Sequence, residues 1–537
     1  LATIKASHFR IRILFLVLFL GLSPEIGHAQ DAGFIPLQDY SYQLIERLQR
    51  RGYLSELNPT AQPYTYGQVR TAVQGLDRSR LSSLSLEWLS QLEASTGEKQ
   101  NPDDWQGRYI IDAGITQSST SRKDPLRPLE SPMDITPRVV LGTQFNWEQF
   151  VASSGLTLDT YYDKDPDGLD VVNRWYMRGE DTYLGFSSKY MDLHIGRFGT
   201  HWNRSDLEAP LIGKQVQQYD KIQFRIGNDR ISLRSVYGEL DNLDSTKQFS
   251  GRGFRDGSIR RFVFAHRIDW KPIRNLNLTA FEGDLISATH ANMSLKYLQP
   301  LHVVFFEQDN TPKNFENNLM IGVGLHYQKG SFSLSGQFII DDIVVYERKK
   351  VKEDGRLEPS TAQLTGYLSF ADALPKTDVG LSVAVVSSNS YRTDQIEGQW
   401  TYAQRSLATL FSDYVHVRLF ADWYADGKWN GLVLRPNVHI LAQGTGNYRE
   451  PFTKTYPEGR MLPAVLSGQE SVTFRPAIEV EYRFVDFKKR QNGTVSGLEV
   501  FLQADLGLNF IRNKNHQKGD QGIEFHNLAS LRIKKTL

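Results

Sequence analysis

The sequence predicts a mainly β fold: a transmembrane antiparallel β-barrel of about 18 strands, preceded by a small N-terminal α-helical periplasmic unit. Three observations carry this. After Gly107 the apolar residues recur with a period of two almost to the C-terminus. Charged side chains recur on the second face of strand after strand, which suits a polar lumen behind an apolar belt. Short turns alternate strictly with long polar connections, as tight periplasmic turns and long external loops do in a membrane barrel.

Taken in order, Lys5, Arg10 and Arg12 precede an apolar run from Ile11 to Leu22 that ends in Ser23-Pro24 and Gly27-His28-Ala29. A charged start, a short apolar core and small residues two apart read as a signal peptide over 1–29, cleaved after Ala29. Residues 30–106 then read as the helical unit. Tyr40, Leu44, Ile45 and Leu48 recur at three- and four-residue spacing and Gly52 supplies a stop. Thr65 with Val69, Val73 and Leu76 marks a second helix, and Leu81, Leu84, Leu86, Leu89 and Leu92 a third, with Pro59 and Pro63 breaking the chain before them.

The barrel occupies 107–537. Val415, Val417, Leu419, Ala421 and Trp423 alternate with His416, Arg418, Asp422 and Tyr424, while Ile478, Val480, Tyr482 and Phe484 alternate with Glu479, Glu481 and Arg483. Short turns fall at 146–149, 187–189, 227–229, 271–275, 328–330, 373–376, 425–428 and 488–494. Long connections run 117–135, 164–180, 198–219, 239–257, 286–317, 342–359, 391–411, 443–470 and 512–520. Their alternation implies about 18 strands with both ends on the periplasmic side, or about 16 to 18 depending on how 301–306 is assigned. Trp147, Tyr161, Tyr162, Tyr183, Trp270, Trp423, Trp429 and Tyr482 fall near strand ends, where amphipathic rings suit the headgroup zone. Export with no long apolar helix, together with a barrel pattern, predicts the outer membrane and its lipid as surroundings.

Composition narrows the function. Lys and Arg number 62 against 61 Asp and Glu, so the net charge of +1 gives no reason to expect a nucleic-acid partner. The absence of cysteine removes disulfides, thiolate metal sites and cysteine nucleophiles. No serine-hydrolase elbow, His-Glu-x-x-His pair or phosphate loop occurs, and the histidines are scattered over separate strands and loops. The expectation is a monomer that is not an enzyme, with no catalytic residue, metal or cofactor. Asp341-Asp342 is the best carboxylate pair, but neighbours in a strand face opposite ways. Lumen charges such as Arg225, Arg418, Glu479, Glu481 and Asp505 fit either a channel lining or a salt-bridged plug.

The long loops are rich in residues that bind sugars, because aromatic faces stack on pyranose rings while Arg and carboxylates make directed hydrogen bonds. Trp175 and Tyr176 lie in the second loop, Trp202 and Arg204 in the third, Trp400, Tyr402 and Arg405 in the seventh. Tyr448, Arg449, Phe452, Tyr456 and Arg460 lie in the eighth.

Three stretches carry a family likeness: Phe34-Ile-Pro-Leu with Leu44, Leu48 and Gly52; Leu193-His-Ile-Gly-Arg-Phe-Gly-Thr-His-Trp202; and Leu295-Lys-Tyr-Leu-Gln-Pro300 with Asn318-Leu-Met-Ile-Gly-Val-Gly and Gly336-Gln-Phe-Ile-Ile-Asp-Asp342. In these the sequence resembles the Wzi family of outer-membrane capsule-assembly proteins. The resemblance implies a barrel of this size, narrowed by helices, whose outer face is a lectin that organises and retains capsular or other surface polysaccharide beside the export machinery. It carries over Gly196, Arg197, Trp202, Tyr297, Pro300, Gln337, Asp341 and Asp342 as family positions, with Gly196, Pro300 and Gln337 expected to fix geometry. Asn203-Arg204 departs from the Gly-rich turn expected after Trp202. The alternative is an outer-membrane diffusion porin that passes small solutes through the same polar lumen.

Overall fold

The computed structural model describes residues 31–97, 106–168, 177–249, 258–289, 297, 299, 303–304, 316–341, 361–452, 464–489 and 495–537. The export signal assigned to 1–29 lies outside them. So does most of 301–306, of which the described Val303 and Val304 are not in a strand.

Eighteen antiparallel strands form one closed sheet, an outer-membrane β-barrel. The first strand, Gln106–Ser118, pairs with both the second, Asp134–Trp147, and the last, Gln521–Thr536, so no edge is left to pair with another chain. All eight short turns and all nine long connections expected from the sequence fall between these strands. Alternation sets the two faces. Leu419 and Trp423 point outward, while on the same strand, Tyr414–Tyr424, the guanidinium of Arg418 lies 2.7 Å from Glu479 inside. Leu184 and Ile523, 67% and 72% exposed, belong to the apolar outer surface that a bilayer would cover. Trp147, Trp270, Trp423 and Trp429 are outward-facing beside short turns, as a membrane-interface girdle requires. Tyr161, Tyr162 and Tyr183 are corrections to that set: the first two line a cavity among the long connections, and Tyr183 faces the lumen, where its hydroxyl accepts a hydrogen bond from the Phe34 backbone N–H at 2.7 Å.

Among the described residues three α-helices precede the barrel. α1 (Ser41–Arg50) buries Leu44, Ile45 and Leu48. α2 (Tyr66–Gln74) starts at a capping box, in which the Thr65 side chain accepts from Gln68 N–H at 3.1 Å and the Gln68 side chain accepts from Thr65 N–H at 3.0 Å. α3 (Ser83–Thr96) is capped by Ser82 and stops at Gly97, whose φ of 75° an L side chain rarely adopts. The helices share one apolar core with the wall residues Tyr424 and Val433, and Trp88 meets Tyr424 edge-on at 4.8 Å. They sit at the short-turn mouth: the Gln328 amide, two residues before the turn 330–331, donates to the Arg50 carbonyl at 3.0 Å.

Three arginines on α1 and its end fasten it to the wall. Arg47 meets Glu481 at 2.8 Å, Arg50 meets Asp422 at 2.6 Å, and Arg51 meets Asp378 at 2.7 Å. From the other end of the barrel the third long connection, 198–219, turns into the lumen. Trp202, Leu211 and Ile212 pack there against Val263, Phe281, Met320 and Ile339 of the wall and against Tyr391, Trp400 and Leu407 of the seventh connection. The two inserts meet. His201 and Gln62 exchange both backbone hydrogen bonds, at 3.0 and 3.1 Å, and Arg50 reaches Asp206 at 3.1 Å. The lumen charges singled out in the sequence are paired, Arg225 with Asp192, Arg418 with Glu479 and Asp505 with Arg475 along the wall and Glu481 with Arg47 of α1.

Removing one partner of a buried ion pair leaves the other uncompensated. Arg50→Ala is therefore expected to lower unfolding stability by about 3 kcal/mol, read as a shift in the urea midpoint in detergent micelles. An unchanged midpoint would show that α1 is held by apolar packing alone. Burial by itself would raise the Asp206 carboxyl, but Arg204 and Arg50 outweigh it and hold its pKa below the ordinary carboxylate range. A group depressed on folding stabilises fully above its unfolded pKa of about 3.9 and loses that contribution as pH falls through the folded value. The urea midpoint of the wild type should thus fall further between pH 6 and pH 3 than that of Asp206→Asn; parallel slopes would refute the link.

Candidate functional site

The long-connection end holds a cavity of 390 Å³, built from the first, second, third and seventh connections above the insert of 198–219. Arginine–carboxylate pairs tie these loops together. Arg122 grips Asp167 with two hydrogen bonds of 2.9 Å, a bidentate fork. Arg449 of the eighth connection adds a third contact to Asp167 at 3.0 Å, and Arg405 of the seventh donates to Asp165 at 2.6 Å. Burial alone would raise Asp167; Arg122 and Arg449 instead hold it below the usual carboxylate range. Asp163, Asp165, Asp167 and Gly168 have the spacing of the start of a calcium loop, but two of the three carboxylates already face arginines, and no metal-binding cluster occurs among the described residues.

Aromatic rings and three lysines complete the lining, Lys123, Lys221 and Lys214, the last donating to the Ser205 carbonyl. Tyr161, Tyr162, Tyr219, Phe198 and Phe411 face the cavity. The Lys123 ammonium sits 4.0 Å from the centre of the Tyr161 ring, and Lys221 lies 4.8 Å from Phe198 and 4.4 Å from Tyr219. Neither Lys123 nor Lys221 has a carboxylate within ion-pair distance among the described residues, although Asp159 and Asp165 act on Lys123, and Asp181 and Asp220 on Lys221, across longer gaps. Burial pushes the Lys123 ammonium pKa down. The Tyr162 hydroxyl donates to Glu180 at 2.6 Å, leaving its ring to line the hollow. Stacking faces, forked donors, fixed carboxylates and cations without a direct counter-ion can together hold hydroxyl-rich or acidic ligands.

The sugar-binding candidates from the sequence divide. Arg449 and Arg405 hold the loops around this cavity, and Tyr402 packs on Tyr219 with ring centres 5.6 Å apart. Arg197 lies at the rim, hydrogen-bonded to Asp220 at 3.2 Å. Trp202, Trp400 and Tyr448 are buried in the lumen core, where the Trp400 indole N–H donates to the Leu211 carbonyl at 2.9 Å. Arg204 is wholly buried, 3.1 Å from Asp206 and 4.0 Å from the Tyr367 ring centre. Tyr297 packs on Phe264 at 4.2 Å, and the Asp341 carboxylate accepts from Tyr391 N–H at 3.0 Å. Trp175, Tyr176, Asp342 and Tyr456 lie outside the described residues. Gln337 donates to the Trp202 carbonyl at 2.8 Å, and a side chain at Gly196, φ 136°, would strike the Thr182 carbonyl, so both positions set loop geometry.

Arg122, Lys123, Asp165, Asp167 and Lys221 escaped the sequence reading. The signal available was density: Tyr161-Tyr-Asp-Lys-Asp-Pro-Asp167 puts two rings and three acids into seven residues.

No family model and no curated protein matches the sequence. Solved structures do. The chain is similar to Wzi of Escherichia coli, described as an outer-membrane protein involved in Group 1 capsule assembly and a carbohydrate-binding β-barrel, with a TM-score of 0.60 and 11% identity over 93% of this chain and 99% of that one. OpdK of Pseudomonas aeruginosa aligns with a TM-score of 0.42 and 10% identity over 81% and 98% of the two chains. A BenF-like porin of Pseudomonas fluorescens Pf-5 aligns at 0.43 and 9% over 81% and 99%. At these identities the likeness to Wzi establishes the fold, that of an outer-membrane-type β-barrel.

Asp167 joins three loops through two arginines. Asp167→Asn should leave the barrel folded while speeding limited proteolysis within 119–133 and 444–452 at least severalfold, because each neutral contact is roughly half as strong as the charged one. Unchanged cleavage would mean that backbone turns alone hold these loops.

Proposed function

We propose that this outer-membrane barrel is a non-enzymatic, lectin-like protein that binds and organises exported capsular or other surface polysaccharide at the cell surface. The observation that supports it most directly is the division of labour inside the barrel. Side chains of α1 and the connection 198–219 meet in the lumen, while the loop end keeps a ring-lined, charge-studded cavity between tied loops. A lumen packed in this way serves passage poorly, whereas a rigid loop face serves recognition, because preorganised loops lose little freedom on binding. The carbohydrate-binding description of the similar Wzi barrel points the same way. In this reading residues 1–29 direct export, the helices close the lower mouth, and the export machinery delivers polymer to the loop face.

The porin reading keeps one specific observation in its favour. The loop cavity and a second, 280 Å³ cavity beside α1 share Leu37, Gln38 and Lys214, so polar space runs past the insert. Conductance in planar bilayers decides between them: a lectin gives almost no current and a porin a large stable step. In cells, deleting the gene should leave total polysaccharide unchanged and move it from the attached to the shed fraction, with a plasmid copy restoring attachment. Tyr162→Ala should reproduce part of that shift by weakening glycan binding about tenfold, the scale of one stacking ring. Unchanged attachment with reduced small-solute uptake would replace the lectin reading with the porin one.

A further inference from the structure

The short-turn mouth holds a third cleft, 540 Å³ in volume, between the helical unit and the strands Asp220–Gly227, Ile231–Glu239 and Arg260–Ile273. It is independent of the loop face, at the opposite end of the barrel. Its wall carries a rung of arginines on three neighbouring strands: the register sets Arg225 opposite Arg234 and Arg234 opposite Arg267. Like charges directly opposite each other destabilise a sheet, so a run of three needs an electrostatic reason.

The carboxylates facing the rung do not balance it. Asp192 lies 3.2 Å from Arg225, and Asp269 lies 2.7 Å from Arg267 and 3.5 Å from Arg234. Three guanidiniums therefore share two carboxylates. Arg267 is saturated, because it also donates to the Thr60 carbonyl and hydroxyl and to the Thr279 hydroxyl. Arg234, the middle member, is not: its buried Nε faces Asp269 Oδ2 at 3.5 Å without a hydrogen bond, and that carboxylate is shared with Arg267. Arg230 and Lys271 line the same cleft and add positive charge, with the Lys271 ammonium donating to the Ser55 carbonyl. Of the other carboxylates in the lining, Asp31 is taken by Arg70 at 2.7 Å and Glu56 faces Arg274 at 3.7 Å, which leaves Asp229. Around the rung the lining includes the amides and hydroxyl of Asn228, Asn277, Gln68 and Ser232.

A planar fork flanked by amides is the chemistry that recognises a carboxylate on a hydroxyl-rich body. We propose that this cleft binds a carboxylate-bearing saccharide segment on the periplasmic side, with Arg234 gripping the acid group and Asn228 and Asn277 reaching its hydroxyls. A uronic-acid polymer on its way out and the cell-wall glycan with its acidic peptide both present that chemistry. The occupied Arg234 gains a counter-ion of its own beside the one it shares with Arg267.

The test titrates the full-length barrel in detergent micelles with hexagalacturonate, with a soluble muropeptide, and with maltohexaose as the neutral control. An acidic probe is expected to bind and the neutral one not to. Arg234→Gln should weaken binding of the acidic probe at least tenfold, Arg234→Lys should restore part of it, and the unfolding midpoint of Arg234→Gln should equal or exceed that of the wild type, because a like-charge contact is relieved. Tighter binding of hexagalacturonate assigns the site to exported polymer, and tighter binding of the muropeptide assigns it to the cell wall. The proposal is overturned if neither acidic probe binds, if Arg234→Gln binds as the wild type does, or if its midpoint falls, since that last result would make Arg234 a structural strut.

Discussion

The contact on which the rest depends is the set of guanidiniums that α1 sends into the lumen. A charged group inside a barrel costs more to bury than an apolar one, and it is tolerated only where a carboxylate and further donors or rings surround it. Arg47, Arg50 and Arg51 meet Glu481, Asp422 and Asp378, residues more than 300 positions away in the chain. Arg47 lies within 6 Å of the centres of the Tyr40, Trp88 and Tyr424 rings, and Arg51 lies 4.8 Å from that of Trp88. The partners come from three different strands, so the helix has one seat and one rotation. Its position then fixes Arg50 against Asp206, and through it the foot of the connection descending from the other end.

That foot explains why the loop end can be rigid. The connection 198–219 is anchored twice, by the backbone exchange between His201 and Gln62 below and by Trp202, Leu211 and Ile212 in the lumen core above. With its underside fixed, the connection offers a platform on which the first, second, seventh and eighth connections settle, clasped by Asp165 and Asp167. Burying Trp400 and Trp202 in that platform removes them from the surface. The cost of ordering the loops is met in the folded state rather than at the moment of binding.

The barrel was legible in the sequence because its rule is local. Period-two alternation and turn length are properties of neighbouring residues, and Leu419, Trp423, Arg418 and Asp422 all face as their positions dictate. The helices were legible for the same reason, through the stripe of Leu44, Ile45 and Leu48 and the box at Thr65 and Gln68. The site was less so. Trp202, Trp400 and Tyr448 carry the residue types of a sugar site, but in a barrel the same large rings also fill the space that inserted loops enclose, and only tertiary structure separates the two uses. Tyr183 reads as an interface ring until one sees that the N-terminal segment brings Phe34 to its hydroxyl. Lys221 was invisible as a ligand group because a lysine that opens a strand looks like any rim charge, and its rings, Phe198 and Tyr219, come from both ends of a folded-in loop.

A net charge of +1 over the whole chain conceals how unequally the charge is spent. In the lumen core arginines and carboxylates are matched, as at Arg435, Asp422 and Glu479, where two carboxylates hold one guanidinium that shares Asp422 with Arg50. At the two ends the matching lapses in the same direction, with Lys123 and Lys221 lacking direct counter-ions beside the loops and Arg234 sharing one beside the short turns. Electrostatic recognition depends on such local residues of charge and not on the sum, since fields are screened within about 8–10 Å at physiological salt. A core that neutralises itself and cations left without their own counter-ions at the two mouths are both compatible with a chain that is neutral in total.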